Sequence, residues 1–180
     1  MDESKKDLLC KLNKALGDRL SPYLWGFGAS VLLWGYGCVD DFNHVDILAC
    51  RRGVCAAADA LSSLGSTVHQ PLPLLRCHAD FFCSYLVDGV LVNLLSGLCF
   101  DTDYGEYAYR FDEMSVPHSL RIGNERLPCT TLEEWKYLYE LSAGREGELA
   151  LIDALFAETG MIFKELYVRM HEGSLGTEAS

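Results

Sequence analysis

Residues 25–50 read WGFGASVLLWGYGCVDDFNHVDILAC. A short apolar run breaks into Gly26-Phe27-Gly28-Ala29-Ser30, and a second, Val31 to Trp34, leads to a loop with Gly35, Gly37, Asp40 and Asp41. The stretch closes on His44-Val45-Asp46-Ile47-Leu48-Ala49, which reads as a buried strand. The whole is strand, glycine turn, short helix, loop, strand. Glycine lets backbone amides approach a ligand closely, and the free amides of a helix start suit a phosphate. Asp46 alternates with Val45 and Ile47, so its carboxylate leaves one face of the strand while they enter the other. A carboxylate beside a phosphate cradle is the layout of a metal–nucleotide site.

Upstream, Leu8, Leu12, Ala15 and Leu16 fall on one helical face ending near Gly17, and Ser21-Pro22 precedes a strand expected at residues 23–26. Downstream, Val54, Ala57, Ala58, Leu61 and Leu64 give a helix stopped by Gly65, followed by a short strand at 66–69. Two apolar runs, 78–87 and 90–95, flank Asp88-Gly89, a strong hairpin signal. Residues 104–111 alternate aromatic and polar, and Gly123-Asn124 lies between two more short strands. Thr130-x-x-Glu133 reads as a capping box opening a helix with Leu132, Trp135, Leu138 and Tyr139 inward. Two further helices follow, around Leu149 to Phe156 and Phe163 to Met170. The expectation is a single α/β (or α+β) domain over residues 1–172, with a mixed sheet core at about 20–115. A helical C-terminal portion at about 130–172 and a flexible polar tail at 173–180 complete it.

On three blocks the chain resembles the nucleotidyltransferase superfamily, in particular its small stand-alone bacterial members. The frame GFGAS…DDFNHVDILA is similar to the glycine-serine turn and the following metal strand. YLVDGVLVNLLSGLCF, residues 85–100, is similar to the strand pair that brings a third acid, and residues 127–156 resemble the helical tail. The resemblance implies a sheet in which the Asn93 strand lies beside the Asp46 strand. It also implies a nucleoside triphosphate, ATP in the first instance, held by Gly28 and Ser30, with Mg2+ or Mn2+ as cofactor. The metal positions fall on His44, Asp46 and Asn93, with Asp46 the one catalytic carboxylate kept. Asp40 and Asp41 are candidate compensating acids, and the acceptor is a hydroxyl on a small molecule or protein. Two functions are therefore open. One is an NMP-transferring enzyme; the other is a catalytically inactive binding module for nucleotide or for a protein partner, such as a toxin.

The chemistry explains why the substitutions matter. Transfer of a nucleotidyl group depends on positioning and charge neutralisation, usually by two magnesium ions between converging carboxylates. A carboxylate about 4 Å from a cation contributes about 4 kcal/mol per unit charge at an effective dielectric of 20, before desolvation. His44 and Asn93 supply no such charge, and neutral imidazole is a poor partner for magnesium. Each residue also has a plainer reading: Asp46 as a strand-end carboxylate capping a loop, His44 as a hydrogen-bonded edge histidine, Asn93 as a bridge between strands, and Asp40 and Asp41 as solvated loop acids. Arg145 reads as a partner for helix acids or as a substrate-facing cation.

Composition narrows the remainder. A net charge of −11 and 49% hydrophobic residues over 180 positions describe an acidic globular chain. That charge argues against nucleic acid or an anionic membrane as the main partner. The N-terminus has no uninterrupted apolar core and no window supplies the roughly 18 apolar residues of a membrane span, so neither a signal peptide nor a span is expected. The eight cysteines include no C-x-x-C pair, so free thiols in a reducing cytoplasm are expected, with neither disulfides nor thiolate-bound zinc. His69, His78, His118 and His171 show no metal-like spacing along the chain.

Overall fold

The strand carrying Asp46 lies in the middle of the sheet. The computed structural model describes residues 3–111, 115 and 118–175, with side chains through residue 172. Its strands are β1 (Trp25–Phe27), β2 (His44–Ala49), β3 (Ser66–Val68), β4 (Cys77–Val87), β5 (Val90–Thr102), β6 (Gly105–Ala108), β7 (His118–Ile122) and β8 (Glu125–Cys129). They form one mixed sheet in the order β3-β4-β5-β2-β1-β8-β7, with β6 also paired to β5. The helices are α1 (Glu3–Gly17), α2 (Ala29–Gly35), α3 (Val54–Ser62), α4 (Leu132–Leu141), α5 (Glu146–Thr159) and α6 (Lys164–Leu175).

The expected neighbours are neighbours. β2 runs parallel to β5 with Asp46 in register with Asn93, so both side chains leave the same face. β4 and β5 form the hairpin signalled by Asp88-Gly89, where φ values of 51° and 79° put both turn residues in the left-handed region. That is the turn whose twist suits a two-residue hairpin, and glycine accepts it without steric cost.

Boundaries moved for local reasons. β1 starts at Trp25 rather than Tyr23 because the Leu24 amide closes a turn onto the Ser21 carbonyl, 3.0 Å. β5 continues to Thr102 because β6 folds back along residues 99–102. The capping box lies one residue later than expected. Thr131, not Thr130, accepts from the Glu134 amide, and Glu134 in turn accepts from the Thr131 amide. The sequence Thr130-Thr131-Leu132-Glu133-Glu134 satisfies the pattern in both registers. Thr130 is taken instead by the sheet, donating to the Phe27 carbonyl (2.9 Å) and accepting from the Trp135 indole (2.7 Å). Glu133 accepts from the Phe163 amide, tying α4 to the start of α6.

Burial fixes the layers. Leu8, Leu9, Leu12 and Leu16 bury the inner stripe of α1, each contributing about 1.5–3 kcal/mol on full burial. α1 packs on α3 and β8, while α4 lies against α2, α5, α6 and β5. Trp25, Trp34 and Trp135 are fully buried, and Trp25 meets Phe27 edge-on at 5.3 Å. Residues 176–180 of the expected tail lie outside the described residues, and α6 reaches Leu175. Among the described residues no helix is long and apolar enough to cross a membrane.

Candidate functional site

Three elements converge on Asp46. The Gly28 amide, at the junction of β1 and α2, donates to the Asp46 carbonyl at 2.8 Å, which pins the glycine turn over the strand. A Cβ at position 28 would lie 2.7 Å from Trp135 Cζ2 and 3.0 Å from Asp46 Cβ, so only glycine allows this approach. Ser30 follows in the first turn of α2, and its hydroxyl is buried with no hydrogen-bond partner. A buried hydroxyl left unpaired costs about 1–3 kcal/mol, which makes Ser30 an open polar demand beside the glycine turn.

The Asp46 carboxylate is 3% exposed and fully engaged. Oδ1 accepts from the Asn93 amide nitrogen at 2.8 Å, and Oδ2 faces His44 Nε2 at 3.5 Å. The other ring nitrogen of His44, Nδ1, faces the Asn43 side-chain oxygen at 2.9 Å. With acceptors on both sides, only the doubly protonated imidazolium donates to each. The Asp46 side chain holds the His44 pKa above its ordinary value against the opposing effect of burial. Burial pushes the Asp46 carboxyl up, but His44, Asn93 and the more distant Arg145 outweigh it and hold the pKa below the ordinary value. His44 and Asp46 thus form a partly buried pair that is ionic when His44 is protonated.

Asn93 is equally committed. Its oxygen accepts from Gln70 Nε2 (2.6 Å) and Ser84 Oγ (2.8 Å). The amide orientation follows from the charge: reversing it would set an oxygen lone pair against the Asp46 carboxylate. Its oxygen therefore points away from Asp46. Arg145 is half-buried, pairs with Glu148 at 2.5 Å, donates to the Pro73 carbonyl and lies 5.5 Å from the Tyr139 ring centre. It contributes positive potential to Asp46 without bonding it.

Of the residues singled out from sequence, His44, Asp46, Asn93 and Gly28 come together, with Ser30 two residues beyond Gly28 in the first turn of α2. Asp40 and Asp41 are exposed, and Asp41 is held by Lys5 at 3.2 Å and by the Phe42 amide at 2.8 Å. Lys5 and the Phe42 amide hold the Asp41 pKa down. Gln70 and Ser84 have no signal in the sequence, because only the pairing of β4 with β5 and the loop after β3 brings them to Asn93. An apolar cavity of about 140 Å³ beside α2 and α5, touched by Leu32, Tyr36 and Phe156, contains none of these groups.

These donors do not fit a pair of magnesium ions. Magnesium asks for hard oxygens in near-octahedral array, usually with carboxylate charge. Here one carboxylate faces a histidine ring nitrogen and accepts from an amide N–H, and the Asn93 oxygen is turned to the far side.

No family model matches the chain, and no curated protein matches it in sequence. Solved structures do match in fold. A candidate nucleotidyltransferase from Thermotoga maritima is similar at 16% identity with a TM-score of 0.63, over 88% of this chain and 96% of that one. The antibiotic-resistance factor ANT(2″)-Ia is similar in solution at 14% identity and TM-score 0.60, over 99% of this chain and 97% of its own. In crystals with adenylyl-2″-tobramycin it is similar at 12% identity and TM-score 0.58, over 94% and 98%. Together with the sheet order and the paired Asp46 and Asn93 strands, these likenesses show that the chain has a nucleotidyltransferase-like fold.

Proposed function

We propose that this protein is a cytoplasmic nucleotide-binding member of the nucleotidyltransferase fold that does not carry out two-metal transfer. The ligand is a nucleoside triphosphate, ATP first, seated on the Gly28–Ser30 turn. The observation that carries this reading is the closed wiring of Asp46: both carboxylate oxygens face protein donors, and the Asn93 oxygen is spent on Gln70 and Ser84. Transfer of NMP to a hydroxyl acceptor would need charge at two positions now held by His44 and Asn93. Mg2+ or Mn2+ enters this reading only as the counter-ion that the triphosphate brings. The unpartnered Ser30 hydroxyl supports the nucleotide half of the proposal, since a phosphate oxygen would satisfy it. ANT(2″)-Ia, whose crystals hold an adenylylated antibiotic, supports an adenine nucleotide as the first choice.

Calorimetry with ATP, GTP, CTP and UTP in EDTA tests it. ATP is expected to bind without metal, and Ser30→Ala to weaken that binding by about 1 kcal/mol, or roughly fivefold. Absence of binding by all four nucleotides would remove the nucleotide and leave a fold used for protein contacts.

A further inference from the structure

β5 is thirteen residues long, and its far end carries a second cluster. His78 on β4 stands directly across from Cys99 on β5. On the other edge of β5, Asp101 stands across from Glu106 of β6, and Cys99 across from Ala108. Alternation along each strand puts His78, Cys99, Asp101 and Glu106 on one face of the sheet. The ligand atoms of His78, Cys99 and Glu106 all lie within 4.8 Å of one another. Cys99 lies six residues from Asn93, about 20 Å along the strand, so this cluster is remote from Asp46.

Against the expectation from chain spacing that no thiolate holds zinc, we propose that His78, Cys99 and Glu106 bind a zinc ion, with water or Asp101 completing the coordination. Three observations converge on it. The donors are an imidazole, a thiol and a carboxylate, a nitrogen–sulfur–oxygen set that suits zinc and does not suit the oxygen-seeking magnesium or calcium. All three side chains are uncommitted, each without a hydrogen bond or ion pair among the described residues, in contrast to the fully wired Asp46. Asp101 and Glu106 also stand directly across from each other as a like-charge cross-strand pair, and among the described residues neither forms an ion pair, an arrangement that a bound cation would relieve. A tetrahedral zinc places its ligands about 3.3–3.8 Å apart, so closure asks for modest side-chain movement from exposed His78 and Glu106. An open cleft of about 580 Å³, bordered by Arg51, Asp80 and Arg110, gives an ion access. Binding replaces the Cys99 thiol proton, which leaves to solvent, and forms three bonds across β4, β5 and β6.

The experiment uses the full chain and Zn2+ alone, with Co2+ as an optical probe. Elemental analysis after desalting is expected to find one zinc per chain, and the cobalt form to show a thiolate-to-metal charge-transfer band. Cys99→Ser and His78→Ala, both at surface-facing positions, are each expected to weaken zinc binding more than about tenfold and abolish or shift that band. Cys55→Ser, at an exposed thiol outside the cluster, and Asp46→Asn are expected to leave zinc binding unchanged. Failure to retain zinc, a cobalt spectrum without the thiolate band, or equal affinity in Cys99→Ser and wild type would each overturn the proposal.

Discussion

His44 faces the Asp46 carboxylate at 3.5 Å, and that pairing has a measurable consequence. Its raised pKa means that its contribution to stability is fully present below its unfolded value, near 6.5, and is lost as pH rises through the folded value. NMR titration should find His44 titrating above its ordinary value and Asp46→Asn bringing it down; an unchanged His44 titration in that variant would contradict the pair. Glu134 acts in the same direction by another route. Burial pushes its carboxyl up to about 7, while the Thr131 amide, the Tyr109 hydroxyl at 2.8 Å and other hydrogen bonds pull it back only in part. Below pH 4.5 both folded and unfolded states are protonated at this site. Between 4.5 and 7 the unfolded chain ionises first, so stability falls by up to about 3 kcal/mol and then levels off. Glu134→Gln removes the titration while its one carbonyl oxygen still accepts from the Thr131 amide, and its NH2 donates to the Tyr109 hydroxyl oxygen once that hydroxyl turns. Urea denaturation of that variant between pH 5 and pH 8 is expected to show a much flatter stability profile than wild type.

At the scale of elements, the glycine turn and the α4 cap are the informative pieces. Gly28→Ala drives a methyl group into Trp135 and the Asp46 backbone, and a cost of about 1–3 kcal/mol in urea unfolding is expected. A neutral result would mean the turn is looser than the 2.8 Å Gly28–Asp46 bond implies. Thr131→Ala should cost about 1 kcal/mol as the loss of an N-cap. The cap also marks the limit of reading local patterns. Thr-Thr-Leu-Glu-Glu offers the same spacing twice, and the choice is made by Thr130's bonds to Phe27 and Trp135, which belong to tertiary structure. Helix stripes and the Asp88-Gly89 hairpin were legible because their signals are local periodicity and turn chemistry. The length of β5 was not, because its last residues are held by β6, a strand that follows them. The same reason hid Gln70 and Ser84, and it hid the pairing of His78 with Cys99: no spacing along the chain records which residues stand opposite each other across a ladder.

For the whole molecule, the sheet order sets what the fold brings together. β2 and β5 are central, so Asp46 and Asn93 face each other from buried, rigid strands, and the groups between them cannot drift toward an ion as loop residues could. The chain shares its fold with these structural neighbours, and a shared fold does not by itself carry an activity. The most direct test is calorimetry of ATP with and without Mg2+ on wild type and on His44→Asp combined with Asn93→Asp. Wild-type affinity should change little with Mg2+, whereas the double variant should gain at least about tenfold from it, or about 1.4 kcal/mol, as two carboxylates return beside Asp46. A wild-type affinity that already depends strongly on Mg2+, and that Asp46→Asn abolishes, would show that the wiring opens to admit the ion and would contradict the account.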